Sequence, residues 1–173
     1  MSQQADIVVL DAAAASAAID ELADVLADCV AGGASVSFMA PFGQSDAVAY
    51  FRTVIASMET GGTALIAACL GGRIVGSVQI GLDTPPNQPH RADIKKMLVH
   101  RVARKRGIGA ALLQGAEAEA KARSRTLLVL DTASGDAERL YARAGWQRVG
   151  VIPDYALWPG GGFCDTTVFW KKV

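Results

Sequence analysis

Only two histidines, His90 and His100, and three cysteines occur in 173 residues. With no cysteine pair at ligand spacing, no metal site is expected. Cys29, Cys69 and Cys164 are odd in number, far apart and set among apolar neighbours. They read as free buried thiols of a reducing compartment, not as a disulfide framework. Neither charge is in excess, since 17 basic residues face 17 acidic ones. That excludes a general nucleic-acid binder and a polybasic membrane binder. No apolar run reaches the ~20 residues that a bilayer requires. The first ten residues hold no basic stretch of the kind that begins a signal peptide. The expectation is one cytoplasmic domain over 1–173, long enough for a full core, with no internal repeat or linker.

What the chain does have is a basic turn with two glycines between an apolar run and a helix. The run ends in Met97-Leu98-Val99, and the turn is Arg104-Lys105-Arg106-Gly107-Ile108-Gly109-Ala110. A bend of this kind leaves backbone N–H groups unpaired at a helix start, where the helix dipole is positive. Three cations sit beside those amides. Together they describe a seat for a diphosphate.

The remaining elements follow from periodicity and turn residues. Ile7–Leu10 reads as a strand and 11–31 as one helix, its apolar stripe running through Ile19, Leu22, Leu26, Cys29 and Val30. The stretch 34–44 holds Val36, Phe38, Met39 and Phe42. It is either a loop folded over the core or a flap over a substrate. Ser45 is expected to cap a helix over 46–59. Strands follow over 63–70 and 73–82, joined at Gly71-Gly72. A proline-rich loop leads to a strand over 92–99, in which the polar pair Lys95-Lys96 suggests a bulge or a solvent-open face. The helix after the glycine turn offers Glu117 to Lys121 and Glu119 to Arg123 as pairs four apart. A strand over 126–130 ends at Asp131, and a helix from Ser134 or Gly135 closes at Gly145. A strand over 146–152, a Gly/Pro loop over 153–162 and a last strand over 166–171 complete the chain. Hairpins in the middle and helical crossovers after the basic turn imply a mixed α/β fold, a sheet with helices on both faces.

Two phosphate-binding patterns fail. The nucleotide P-loop G-x-x-x-x-G-K-[ST] does not occur. The dinucleotide pattern lacks its third glycine at Leu112, although Asp131 mimics the ribose-binding acid, and too little chain follows for a second half. The pattern R-x-x-G-x-G/A is met by Arg104 to Gly109. It follows a strand, opens a helix, and is trailed by a strand and then by the tyrosine-bearing segment Ala137-Glu138-Arg139-Leu140-Tyr141-Ala142-Arg143-Ala144-Gly145-Trp146. With these motifs the chain resembles the GNAT superfamily of acetyl-CoA-dependent N-acetyltransferases, over roughly 6–172. More narrowly it is similar to the tabtoxin resistance acetyltransferases, on 32–39, 90–97, 130–132 and 148–155.

The resemblance implies a mostly antiparallel sheet of about seven strands with a splay between the fourth and fifth. It implies acetyl-CoA as cosubstrate. The amides of Arg106, Gly107, Ile108, Gly109 and Ala110 would hold its diphosphate, with Arg104 and Lys105 beside them. Met97, Leu98 and Val99 would pair with the pantetheine arm, a backbone N–H near Leu98 would polarise the thioester carbonyl, and Thr132, Ala137 and Tyr141 would complete the cofactor site. Asp93 is the candidate base, acting through a water because it is shorter than the family's glutamate; His90 is the alternative. Tyr141 is the candidate acid toward the sulfur. The acceptor would meet Phe38, Met39, Asp93, Asp131, Asp154 and Tyr155, with Trp158 as a further contact. The implied acceptor is a small amino-acid-like amine, with a tabtoxin-type β-lactam toxin as the specific case. Two other functions fit the same residues: a non-catalytic acyl-CoA sensor, and an acetyltransferase of protein amines. The implied assembly is a monomer or a homodimer.

Overall fold

The computed structural model describes residues 4–173. Its elements run β1 (Asp6–Leu10), α1 (Ala12–Ala17), α2 (Ile19–Ala31), α3 (Gln44–Glu59), β2 (Thr63–Leu70), β3 (Arg73–Gly81), β4 (Arg91–Val99), α4 (Ile108–Ala122), β5 (Leu127–Thr132), α5 (Gly135–Arg143), β6 (Gln147–Leu157) and β7 (Phe163–Lys172). The seven strands form one sheet in the order β1-β2-β3-β4-β5-β7-β6. All neighbours are antiparallel except β4 and β5. Among the described residues, no helix is long and apolar enough to cross a membrane.

Strand alternation sorts the core into two layers. Ile66, Val78, Ile80, Ala92, Ile94 and Leu128 pack with Ile108, Leu112, Leu113 and Ala116 of α4. Leu65, Ala67 and Leu98 point the other way, against Leu22, Leu26, Phe51 and Val54 of α2 and α3. Gly76 lets α4 approach, since a Cβ there would lie 2.8 Å from the Leu98 carbonyl oxygen and 3.0 Å from Leu112 Cδ1.

Four details differ from the sequence reading. The first helix is two, broken at Ala18, whose backbone leaves the helical region at φ −101° and ψ 14°. Helix α3 is capped at Gly43, whose N–H donates to Asp46 Oδ2 at 2.9 Å, and Ser45 lies inside it. Glu117 does not reach Lys121. It accepts from Lys171 Nζ at 2.7 Å and from Trp146 Nε1 at 2.8 Å, pinning α4 to β7, whereas Glu119 and Arg123 pair as expected. Strand β6 runs through Pro153 to Leu157. It is the sheet's edge, where a proline costs no ladder bond. Two extra residues between Ile152 and Ala156 are absorbed as a bulge, with Asp154 at φ 52°.

Candidate active site

Strands β4 and β5 pair only from Arg91↔Leu127 to Asp93↔Val129. Arg125 locks this shared end: its Nη1 donates to the carbonyls of Pro89 and Arg91, and its Nη2 to that of Leu82. Beyond Asp93 the strands part, and the edge of β4 from Ile94 to Val99 has no strand beside it. A cleft of about 1060 Å³ opens in the gap. The bulge suggested at Lys95-Lys96 is present. Ser77 faces Leu98 while Gln79 faces Lys95, so Lys96 and Met97 share one partner position, and Lys96 takes φ 52°.

One end of the cleft is the glycine bend. Lys105 and Gly107 both adopt left-handed backbone, at φ 61° and 76°. Gly107 is the N-cap of α4 and offers no side-chain cap, and the first return bond of the helix is Ala111 N–H to the Gly107 carbonyl. The amides of Ile108, Gly109 and Ala110 therefore remain free of intrahelical partners. A Cβ on Gly107 would meet nothing within 4 Å, so the space above the bend is open. Arg104 Nε donates to the Val99 carbonyl at 3.1 Å, tying the bend to the free edge of β4. The preceding turn is fastened to α2 by Asp28, which accepts from the Arg101 amide at 2.8 Å and Arg101 Nε at 2.9 Å. Burial alone would raise the Asp28 carboxyl, but the Arg101 bonds and His100 outweigh it and hold it below the usual range. These features fit a diphosphate: free amides, a positive helix end, flanking cations and room.

The far wall comes from β5 and α5. Ser134 caps α5, its Oγ accepting from the Ala137 amide. Tyr141 borders the cleft and is 4% exposed, packed on Trp146 and Phe169 at ring distances of 5.8 and 5.7 Å. Burial, and then the charge of Asp131, push its phenol up to about 12. Asp131, next to last in β5, lies at the cleft, with Oδ2 accepting from Thr166 Oγ1 at 2.7 Å.

Of the residues read from the sequence, the cleft gathers Phe38, Met39, Met97, Leu98, Val99, Arg104, Lys105, Gly109, Asp131, Thr132, Ala137, Tyr141, Tyr155 and Trp158. Arg106, Gly107, Ile108 and Ala110 belong to the adjoining bend and are not among the residues lining the cleft, and the Ile108 side chain is in the core. Asp93 does not border the cleft, and Arg91 Nη1 takes its Oδ1 at 2.5 Å. His90 is exposed in the turn before β4, its carbonyl accepting from Thr126 and Leu127. Asp154 faces outward, its amide donating to Asp165 Oδ1. The segment 34–44 serves both readings: Val36, Phe38 and Phe42 pack on the core, while Phe38 and Met39 also line the cleft. Sequence reasoning gave no role to Lys96, Ser35, Ser37 or Asp165, all of which line it. For Lys96 the signal was the polar pair inside an apolar strand.

Comparison with known proteins follows the same outline. The model of the acetyltransferase (GNAT) family matches residues 19–146. Among solved structures, an N-acetyltransferase from Staphylococcus aureus Mu50 is similar at TM-score 0.79 and 19% identity, over 97% of this chain and 98% of that one. A ribosomal-protein-alanine N-acetyltransferase from Brucella melitensis gives 0.76 and 20%, over 97% and 99%. A GNAT superfamily phosphinothricin acetyltransferase from Sinorhizobium meliloti, solved in complex with AcCoA, gives 0.79 and 16%, over 98% and 89%. At these identities the likeness is one of fold.

Proposed function

The chain belongs to the GNAT acetyltransferase family, and from that premise we propose that it transfers the acetyl group of acetyl-CoA to the amine of a small, amino-acid-like molecule. A tabtoxin-type β-lactam amino acid is the specific acceptor this reading names. The observation that carries it is the free edge of β4, running from an uncapped helix start to a buried tyrosine beside a carboxylate.

When bound, acetyl-CoA supplies a thioester that an amine can attack directly. The amides of 106–110 hold the diphosphate, and Arg104 and Lys105 balance its charge. The β5-facing edge of β4 at Met97, Leu98 and Val99, which no strand pairs, would take the pantetheine arm as a further strand, and a β4 N–H near Leu98 would polarise the carbonyl. Thr132 and Ala137 close the opposite side. Holding both reactants in one cleft supplies up to ~7–11 kcal/mol of the barrier. The amine must shed a proton before it attacks the thioester. With Asp93 engaged by Arg91, that proton passes to water beside Asp131, whose carboxylate also draws the cationic acceptor. Tyr141 Oη keeps its proton and donates a hydrogen bond toward the sulfur. Phe38, Met39 and Tyr155 shape the acceptor end. On β6 and β7 the exposed Val149, Val151, Ile152 and Phe163 favour the homodimer over the monomer.

The test is free-thiol release from acetyl-CoA across amino acids, polyamines and peptides. Turnover centred on amino-acid-like amines supports the proposal. Tight CoA binding without turnover on any amine would make the protein a sensor, and turnover confined to peptides would make it an enzyme of protein amines.

A further inference from the structure

Lys96 sits in the acceptor half of the cleft without a charged partner. Its Nζ donates to Ser37 Oγ at 2.9 Å and lies 5.7 Å from the Phe38 ring centre and 6.0 Å from that of Tyr50. Among the described residues, no carboxylate oxygen pairs with it within 4.0 Å. Asp131 acts on it only at a distance. Burial, and then the like charge of Lys95, hold its ammonium below the usual lysine range. A half-buried cation in this state is costly unless an anion meets it.

The backbone is arranged to put it there. Left-handed conformation is unfavourable at a non-glycine residue, and Lys96 holds it at φ 52°. The extra residue of the bulge breaks strict alternation. Both lysines border the cleft, but Lys95 reaches back over β3 toward Gly81, while Lys96 Nζ reaches across to Ser37 Oγ. Strain of this sort points to a function for the residue that bears it. The rings of Phe38 and Tyr50 stabilise a cation without neutralising it. Phe38 also packs at 4.5 Å on Phe42 and at 5.1 Å on Tyr50, so the cage is rigid. Tyr50 is held in turn through its hydroxyl, which donates to Gln79 Oε1 at 3.0 Å.

We propose that Lys96 is the anion anchor of the acceptor site, binding the carboxylate of an acceptor whose amine lies toward Asp131. The inference rests on the N-acetyltransferase reading and narrows it to zwitterionic acceptors. Asp131 attracts the ammonium end and Lys96 the carboxylate end. A plain amine or a polyamine satisfies only the first.

The probes are L-amino acids and their α-carboxamides, with wild type, Lys96→Met and Lys96→Arg. Calorimetry with coenzyme A is run on each protein first, and melting temperature checks that each folds. A charge-assisted hydrogen bond is worth about 10–150-fold. Wild type should therefore favour acids over matched amides in kcat/KM, and Lys96→Met should lower that preference by about 10–150-fold. Dividing one preference by the other cancels the intrinsic basicity of each amine. Lys96→Arg should recover part of the preference, and coenzyme A affinity should stay within about twofold throughout. Turnover with the same preference in Lys96→Met overturns the anchor and leaves the acetyltransferase standing. Coenzyme A binding with no turnover of any acid overturns the anchor and the amino-acid-like acceptor together. Failure to bind coenzyme A overturns the parent reading, and the anchor with it.

Discussion

Replacing Tyr141 by phenylalanine removes one oxygen and leaves the packing. The ring contacts with Trp146 and Phe169 survive, and the pKa of the hydroxyl is raised by burial and by the charge of Asp131, with no hydrogen bond to it from the described residues. Stability should change by less than ~1 kcal/mol. The chemical cost follows from the phenol's position at about 12. An ordinary thiol has a pKa of ~8.5. Full proton transfer to a leaving thiolate is then uphill by about 3.5 pKa units, near 5 kcal/mol. In the proposed reaction Tyr141 would then act by a hydrogen bond to the sulfur as charge develops there, worth ~1.5–3 kcal/mol. That is a loss of about 10–150-fold in kcat, mostly below the ~10²–10⁴ of full general-acid catalysis. Steady-state thiol release should show this loss, with KM for acetyl-CoA within about twofold. A phenol at about 12 is fully protonated through pH 10, so the wild-type rate should show no alkaline fall that Tyr141→Phe removes. A kcat within twofold of wild type, or a melting temperature lowered by more than about 5 °C, would refute the assigned role.

Three further outcomes follow from the scaffold. Gly76→Ala pushes a Cβ against the Leu98 carbonyl and Leu112; overpacking of ~1–3 kcal/mol should lower Tm by about 2–12 °C in calorimetric melting. Gly107→Ala meets no atom but must hold φ 76°. The bend relaxes, binding has to restore it, and calorimetry should find coenzyme A weakened by about 5–30-fold with Tm little changed. Asp28 has a folded pKa below its model-peptide value of 3.8. It thus contributes stability that is fully present above pH ~4 and lost as pH falls through the lower folded value. Urea midpoints measured from pH 6 to pH 2 should fall more steeply for wild type than for Asp28→Asn.

The reading from sequence succeeded where local chemistry decides conformation. Gly71-Gly72 had to turn, and Gly107 had to open α4 after a strand, because left-handed backbone favours glycine there. The apolar stripes of α2 and α4 had to face the sheet. It missed where a distant partner decides. Pro153 looked like the end of β6, but only the strand order reveals that β6 is an edge. Glu117 looked like a partner for Lys121, yet Lys171 and Trp146 reach it first from β7 and the end of α5. Asp93 is drawn aside by Arg91, two residues before it, and does not border the cleft. Lys96 was visible as an oddity in β4, and its direction was not, because a bulge resets which face each side chain takes.

Everything at the site depends on main-chain donors at the start of α4 holding a diphosphate. The direct measurement is calorimetric titration of the folded protein with coenzyme A and, separately, with pantetheine, which lacks the diphosphate and the 3′-phosphoadenosine attached to it. Coenzyme A should bind at least ~100-fold more tightly, as expected when two or more charge-assisted bonds are lost. Equal affinity for the two, or no heat with coenzyme A, would contradict it.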